Sequence, residues 1–145
     1  MVKPESSNDQ MNFLKNNAGI KNLHLLLSVI VIIPIALAYG LYPKLTLSQL
    51  FGIKVETINL TSIFRALMGL YLAVSAVWIL GILKPRFWTT ATVMNIVFMG
   101  GLAAGRLLSL VVDGVPSLYF LAGLLVELLF AFWGLRNLKK YKNSL

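Results

Sequence analysis

SIFRALMGLYLAVSAVWILGILKPRFWTTATVMNIVFMGGLAAGRLLSLVVDGVP, residues 62–116, decides the fold. It holds two apolar runs, about Ser62 to Leu83 and about Trp88 to Val112, joined by the tight basic turn Lys84-Pro85-Arg86. Asp113-Gly114-Val115-Pro116 closes the second run with residues typical of turns. Crossing the hydrocarbon layer takes about 20 apolar residues, and each run is long enough. Working outward, two more such runs occur, about Asn22 to Tyr42 and about Pro116 to Leu135. The reading is all-α: a four-helix transmembrane bundle over residues 22–138, with a polar tail at 1–21 and a basic tail at 139–145. Pro34 removes one backbone hydrogen bond from the first span and predicts a kink there.

Composition agrees. Of the 145 residues, 58% are hydrophobic and 12% charged, about half the charge of an ordinary soluble domain, where ~25% is usual. The net charge of +8 would suggest nucleic acid in a soluble protein, but here the basic residues flank apolar spans and leave no separate basic face, which argues against that partner. With no cysteine, disulfides and thiolate chemistry are excluded, and the single histidine, His24, cannot build a metal cluster. No metal or cofactor is expected. The polar start and the missing cleavage site argue against a signal peptide.

Of the 13 lysines and arginines, Arg65 and Arg106 lie within spans. Nine others share one side: Lys3, Lys15, Lys21, Lys84, Arg86, Arg136, Lys139, Lys140 and Lys142. Only Lys44 and Lys54 fall on the other side. The positive-inside bias puts both termini in the cytoplasm and makes the inner (cytoplasmic) membrane the expected location. The 43–61 loop is then outside. Gly52 divides it into a stretch fit for a short interfacial helix and Ile53-Lys54-Val55-Glu56, which alternates like a strand. We expect it to lie on the outer surface, as a cap or, the favoured reading, a plain interfacial linker, with Thr61 or Ser62 as N-cap of the second span.

Polar side chains within spans usually face the bundle interior. On the third span Asn95, Met99, Leu102, Arg106, Ser109 and Asp113 are spaced 4-3-4-3-4 and form one stripe. Gly101 and Gly105, a GxxxG, lie roughly opposite; packing within the bundle is favoured for them, and a homo-oligomer is the alternative. Glu127 lies about 16 Å into the fourth span, and Arg106 about 10 Å from the outer end of the third. Side chains lean toward their own helix N-terminus, so the two converge from antiparallel helices, and an arginine partner would hold Glu127 as a carboxylate. Arg65 either snorkels to the outer interface or adds a second cation to an outward-facing cavity with Arg106. His24 is expected at the inner interface, solvated or capping, and Trp78, Trp88 and Trp133 read as belt residues. Asn59-Leu60-Thr61 matches a glycosylation sequon, a pattern frequent by chance.

Phe64-Arg65-Ala66-Leu67-Met68-Gly69-Leu70-Tyr71, Gly100-Gly101-Leu102-Ala103-Ala104-Gly105-Arg106-Leu107-Leu108-Ser109, Asp113-Gly114 and Glu127 together resemble a family of small bacterial four-span proteins known as domain of unknown function 4345. More distantly the chain is similar to DoxX-like four-helix membrane proteins. The resemblance covers roughly residues 22–138 and rests on charged groups set inside spans. It implies a bacterial inner-membrane bundle and no activity. Arg65, Arg106, Asp113 and Glu127 are the positions that match its polar pattern.

The function favoured by the residues is binding, or help in transporting, a small anionic or amphiphilic ligand. Arg106, and Arg65 with it, would face that ligand in a cavity open to the outer leaflet, and Glu127 would set the charge balance. The candidate polar cluster, whether it binds a ligand or fixes structure, is Arg65, Asn95, Arg106, Ser109, Asp113 and Glu127. A structural or assembly subunit is the first alternative. A membrane isomerase using Glu127 as proton donor is the second, less favoured because no catalytic constellation accompanies it. Membrane lipid is the expected neighbour in every case.

Overall fold

Lipid offers the backbone no partners, so each apolar run must satisfy its own N–H and C=O groups, and a helix does this within one segment. The computed structural model describes residues 7–141, with side chains from residue 19 onward. Lys3 and Lys142 of the expected tails, and the Lys15 side chain, lie outside the described part. In chain order come α1 (Ser7–Gly40), α2 (Pro43–Phe51), α3 (Ile58–Leu83), a 3-10 turn (Pro85–Phe87), α4 (Trp88–Val112) and α5 (Leu118–Tyr141). Four of them, α1, α3, α4 and α5, are long and apolar enough to cross a membrane. The fold is an all-α transmembrane bundle. Its α1 enters and its α5 leaves at the same end, where Lys21 lies over the Trp88 ring and Trp88 meets Tyr141. We call this the terminal end, and the opposite one, with α2 and the Asp113 turn, the loop end.

Several boundaries differ from those expected. Thr57, not Thr61 or Ser62, caps α3: its Oγ1 accepts from Leu60 N at 3.1 Å, so Ile58 to Thr61 are helical. A good cap residue won over the polar look of the turn that follows it. Ile53 to Glu56 form no strand. Val55 is buried and Lys54 and Glu56 are exposed, so the alternation is real, but among the described residues no second strand lies beside it to pair with. At the other end α5 runs on to Tyr141, because Asn137 and Tyr141 continue the buried face of Gly134 past Leu135, the expected end of the span. α1 continues through Pro34 as one helix.

The short helix expected in the first half of the 43–61 loop is present as α2, and it is fastened to the bundle. Thr46 Oγ1 donates to the Ala38 carbonyl at the end of α1, and Leu47 is fully buried. Gly52 ends α2 at φ +68, a left-handed conformation that suits glycine. Its N–H bonds back to Leu47 and Ser48 carbonyls.

Small residues set the closest helix approaches, but not those of the GxxxG. A Cβ on Gly40 would collide with Met68, one on Gly81 with Ala91, and one on Gly134 would lie 2.8 Å from Ile96. These contacts bring α1 to α3, α3 to α4 and α4 to α5. Gly101 and Gly105 are exposed, and a Cβ on either would meet nothing within 4 Å. Packing within the bundle is therefore corrected for both. The polar stripe takes the inward face of α4, and the glycines opposite it are turned outward. Trp78 and Trp88 are not belt residues either: both are 0% exposed, packed at the heart of the terminal half.

A cavity beside an ion pair

Helix α1 packs chiefly on α3, and α4 on α5, with α3 and α4 joining the two pairs; α1 and α5 meet only sparsely. In the loop half that seam is held open by aromatic side chains. Phe51, carried in by α2, lies against Tyr39, Tyr119 and Phe120, with ring centroids 6.1, 6.4 and 5.4 Å apart. Rings this large leave gaps when they pack edge to face, and below them lies a cavity of about 240 Å³. Ile32 and Tyr39 of α1, Tyr71 of α3, and Met99 of α4 line it, and α4 and α5 contribute the charges Arg106 and Glu127.

The pair forms because its helices run in opposite directions. Each side chain leans toward its own helix N-terminus, so Arg106 and Glu127 close the difference in depth between their backbones. Arg106 Nε donates to both carboxylate oxygens of Glu127, at 2.8 and 2.9 Å. Glu127 is buried and Arg106 half-buried. Gly123, one turn before Glu127, lies against the guanidinium: a Cβ there would be in ordinary contact with its central carbon, at 3.6 Å. Phe120 stacks under the same group, with that carbon 5.3 Å from the ring centroid. A single nitrogen thus holds both oxygens. The two terminal amines have no hydrogen-bond partner among the described residues, and Arg106 borders the main cavity and a smaller one of about 70 Å³. The Tyr39 and Tyr71 hydroxyls, on the same cavity, also have none among those residues. Chemically this is a greasy chamber with a neutral ion pair in its wall and a fork of N–H donors to spare.

The other residues of the expected cluster lie elsewhere. Asn95 is about three turns nearer the terminal end than Arg106, 0% exposed, and donates to Ser28 Oγ at 2.9 Å. Ser109 donates to Asp113 at 2.8 Å in the exposed last turn of α4, where Asp113 N also bonds to the Ser109 carbonyl at 2.7 Å; the two close the helix and do not reach the ion pair. Arg65 is exposed and sits with Tyr42, Lys44 and Thr61 in a shallow groove beside α2. It does not line the Arg106 cavity, so the second-cation placement is corrected: its helix face points it outward along α3. Among the described residues no three His, Cys, Asp or Glu side chains gather.

Sequence reasoning passed over a second polar layer. His24, expected at a solvated interface, is 0% exposed. Its Nδ1 is 2.9 Å from both the Lys21 carbonyl and Asn137 Nδ2, and Trp88 packs against it edge-on with centroids 6.2 Å apart. Ser28 donates to the His24 carbonyl at 2.8 Å and accepts from Asn95, so α1, α4 and α5 are tied together at this level. A signal was there: His24 and Ser28 are one turn apart, as are Trp88, Thr92 and, nearly, Asn95, and each set marks one helix face.

The family model described as Domain of unknown function (DUF4345) matches residues 20–136. No curated protein and no solved structure matches the chain significantly.

Proposed function

The chain belongs to this DUF4345 family, and we propose that its loop-half cavity binds a small amphiphile. The terminal amines of Arg106 would take a hydrogen-bond-accepting or anionic head, and the aromatic wall would take the apolar part. One observation carries this reading: a cavity of about 240 Å³ whose wall holds a half-buried arginine with two amines left over from its salt bridge. A structural pair would need no such space beside it. The volume is below that of most ligand pockets, which run from about 300 Å³ upward. It therefore suits a head group and the first few carbons, with a longer chain lying along the sparse α1–α5 seam. Because Glu127 neutralises Arg106, an uncharged acceptor fits the charge balance as the pair stands, and an anion would take over the arginine from Glu127.

The placement that goes with this reading puts the terminal end in the cytoplasm, in the inner membrane, and the cavity toward the outer leaflet. Basic side chains support it: Lys21, Lys84, Arg86, Arg136, Lys139 and Lys140 against Lys44 and Lys54 at the loop end. Cysteines placed at Ser48 and Lys84 in intact cells check it: an impermeant reagent should label the first and spare the second, and the reverse would overturn the placement.

The binding test uses cis-parinaric acid, a fluorescent fatty acid, titrated into the detergent-purified protein. Saturable binding should weaken at least tenfold in Arg106→Gln and stay unchanged in Arg65→Gln. Equal binding by Arg106→Gln and the native protein would sink the reading. A structural role for the ion pair is the second reading, favoured by the two short bonds from Nε; it predicts no saturable binding at all.

A further inference from the structure

We propose that the terminal half of the bundle is a hydrated chamber, binding internal water among His24, Ser75, Trp78, Trp88, Thr92 and Asn95, and that Ile32 and Met99 seal it from the cavity above. All six side chains are 0% exposed. His24 Nε2, Ser75 Oγ, Trp78 Nε1, Trp88 Nε1, Thr92 Oγ1 and Asn95 Oδ1 have no hydrogen-bond partner among the described residues. The histidine tautomer does not change this: Nδ1 faces Lys21 and Asn137 in either form, and Nε2 is left over as donor or acceptor. Buried polar groups without partners are strongly unfavourable in a membrane bundle, and six together would outweigh the stability of a domain this size.

The kinds of atom select the occupant. Two indole N–H groups can only donate, the Asn95 oxygen can only accept, and the hydroxyls do both. A cation would face the indole protons, and among the described residues no carboxylate lies in this layer to balance it; Lys21, over Trp88, has the wrong sign. An anion would face Asn95 Oδ1. A neutral molecule that donates and accepts fits all of them, and water is the one at hand in a chamber near the membrane surface. Gly134 faces the same spot: a Cβ there would be in ordinary contact with Asn95 Oδ1, at 3.4 Å, and 2.8 Å from Ile96.

Helical register supplies the seal. Ile32 is one turn beyond Ser28 on α1, and Met99 one turn beyond Asn95 on α4. Both are buried, at 4% and 0% exposure, and both line the loop-half cavity. One apolar layer, about one helical turn thick, therefore separates the ion-pair cavity from the water chamber. This holds whatever the cavity binds.

The native protein in deuterated-lipid nanodiscs gives the first test, by solid-state NMR transfer of magnetisation from water to indole N–H groups. Trp78 and Trp88 should receive it; transfer to the half-exposed Trp133 alone would overturn the chamber. The second test measures proton leak in vesicles that hold a pH-sensitive dye. Met99→Ser should raise the leak at least tenfold over the native protein, and Ile32→Ser reads the same layer should the first variant not fold. A leak equal to the native one in a folded variant would overturn the seal.

Discussion

At the loop end the polar groups of this bundle are charged, paired and set beside open space; at the terminal end they are neutral, wholly buried and packed among tryptophans. The loop half joins α4 to α5 through Arg106 and Glu127 and leaves α1 apart from α5. The terminal half ties α1, α4 and α5 together with Ser28, Asn95, His24 and Asn137. The difference teaches how a small bundle keeps room for a ligand. Hydrogen bonds among short side chains pull helices close, whereas a long arginine reaching a glutamate holds two helices while the third stands off. Rigidity at one end lets the other stay open.

The largest expected effect tests the charged half. Removing one member of a buried ion pair leaves the other without its partner. Glu127→Gln and Arg106→Gln should each destabilise the protein by about 3 kcal/mol in detergent unfolding, the low end of the range because Arg106 borders a cavity. The double variant should lose much less than the sum of the two. Additive losses would show that the pair does not act as a unit and would remove the contrast between the halves.

Next comes the packing of the terminal half. Gly81→Ala puts a methyl group into Ala91, and Gly134→Ala puts one against Ile96. Each should cost about 1–3 kcal/mol by overpacking. Gly101→Ala and Gly105→Ala meet nothing and should be neutral or stabilising by up to about 1 kcal/mol through helix propensity alone. If the exposed pair is as sensitive as Gly81, those glycines are buried against a second copy, and the homo-oligomer proposed from the GxxxG gains its support.

This pair of experiments also marks where the sequence stopped being readable. Length and apolarity of the runs sufficed for four spans, and the approximate extent of α4 was legible because a proline turn and an Asp-Gly turn bound it. The opposed directions of α4 and α5 sufficed to bring Arg106 to Glu127. What lay beyond reach were facts about neighbours. Periodicity puts Gly101 opposite the polar stripe but does not say whether protein or lipid covers it. Hydropathy marks Trp78 and Trp88 as near an interface, yet their burial depends on Gly81 letting α4 approach α3. The spacing of His24 and Ser28 marked a face but not its partner: Asn137 lies beyond Leu135, the expected end of the span, in a stretch whose charges disguised a continuing buried face.

A smaller effect probes the neutral half. Asn95→Ala removes one donor to Ser28, and Ser28 keeps its bond to the His24 carbonyl. Interhelical hydrogen bonds in membranes are worth about 0.6 kcal/mol on average and up to about 1.7. The loss should lie near 1 kcal/mol, since Asn95 is fully buried and truncation leaves a small void. A loss as large as that of Arg106→Gln would mean that the neutral layer, not the ion pair, is the main tie.

The smallest effect is expected at the other arginine in a span. Arg65 and Arg106 look alike in the sequence, each one basic residue in an apolar run, and the structure separates them. Arg65 is exposed, makes no salt bridge among the described residues, and lies in the groove of Tyr42, Lys44 and Thr61 near the end of α1. Snorkelling would take its charge to the headgroup layer and leave its aliphatic stem on the protein. Arg65→Gln keeps most of that stem and gives up a charge that is already solvated, so stability should change by no more than about 0.5 kcal/mol, the usual range for surface substitutions. Detergent unfolding beside Arg106→Gln under one condition makes the comparison direct. If the two variants lose equally, Arg65 is buried by something the single chain does not provide, a second copy or a bound lipid. The contrast between the halves would then be incomplete at the loop end, where an outward cation near α2 would have to be counted with the ion pair.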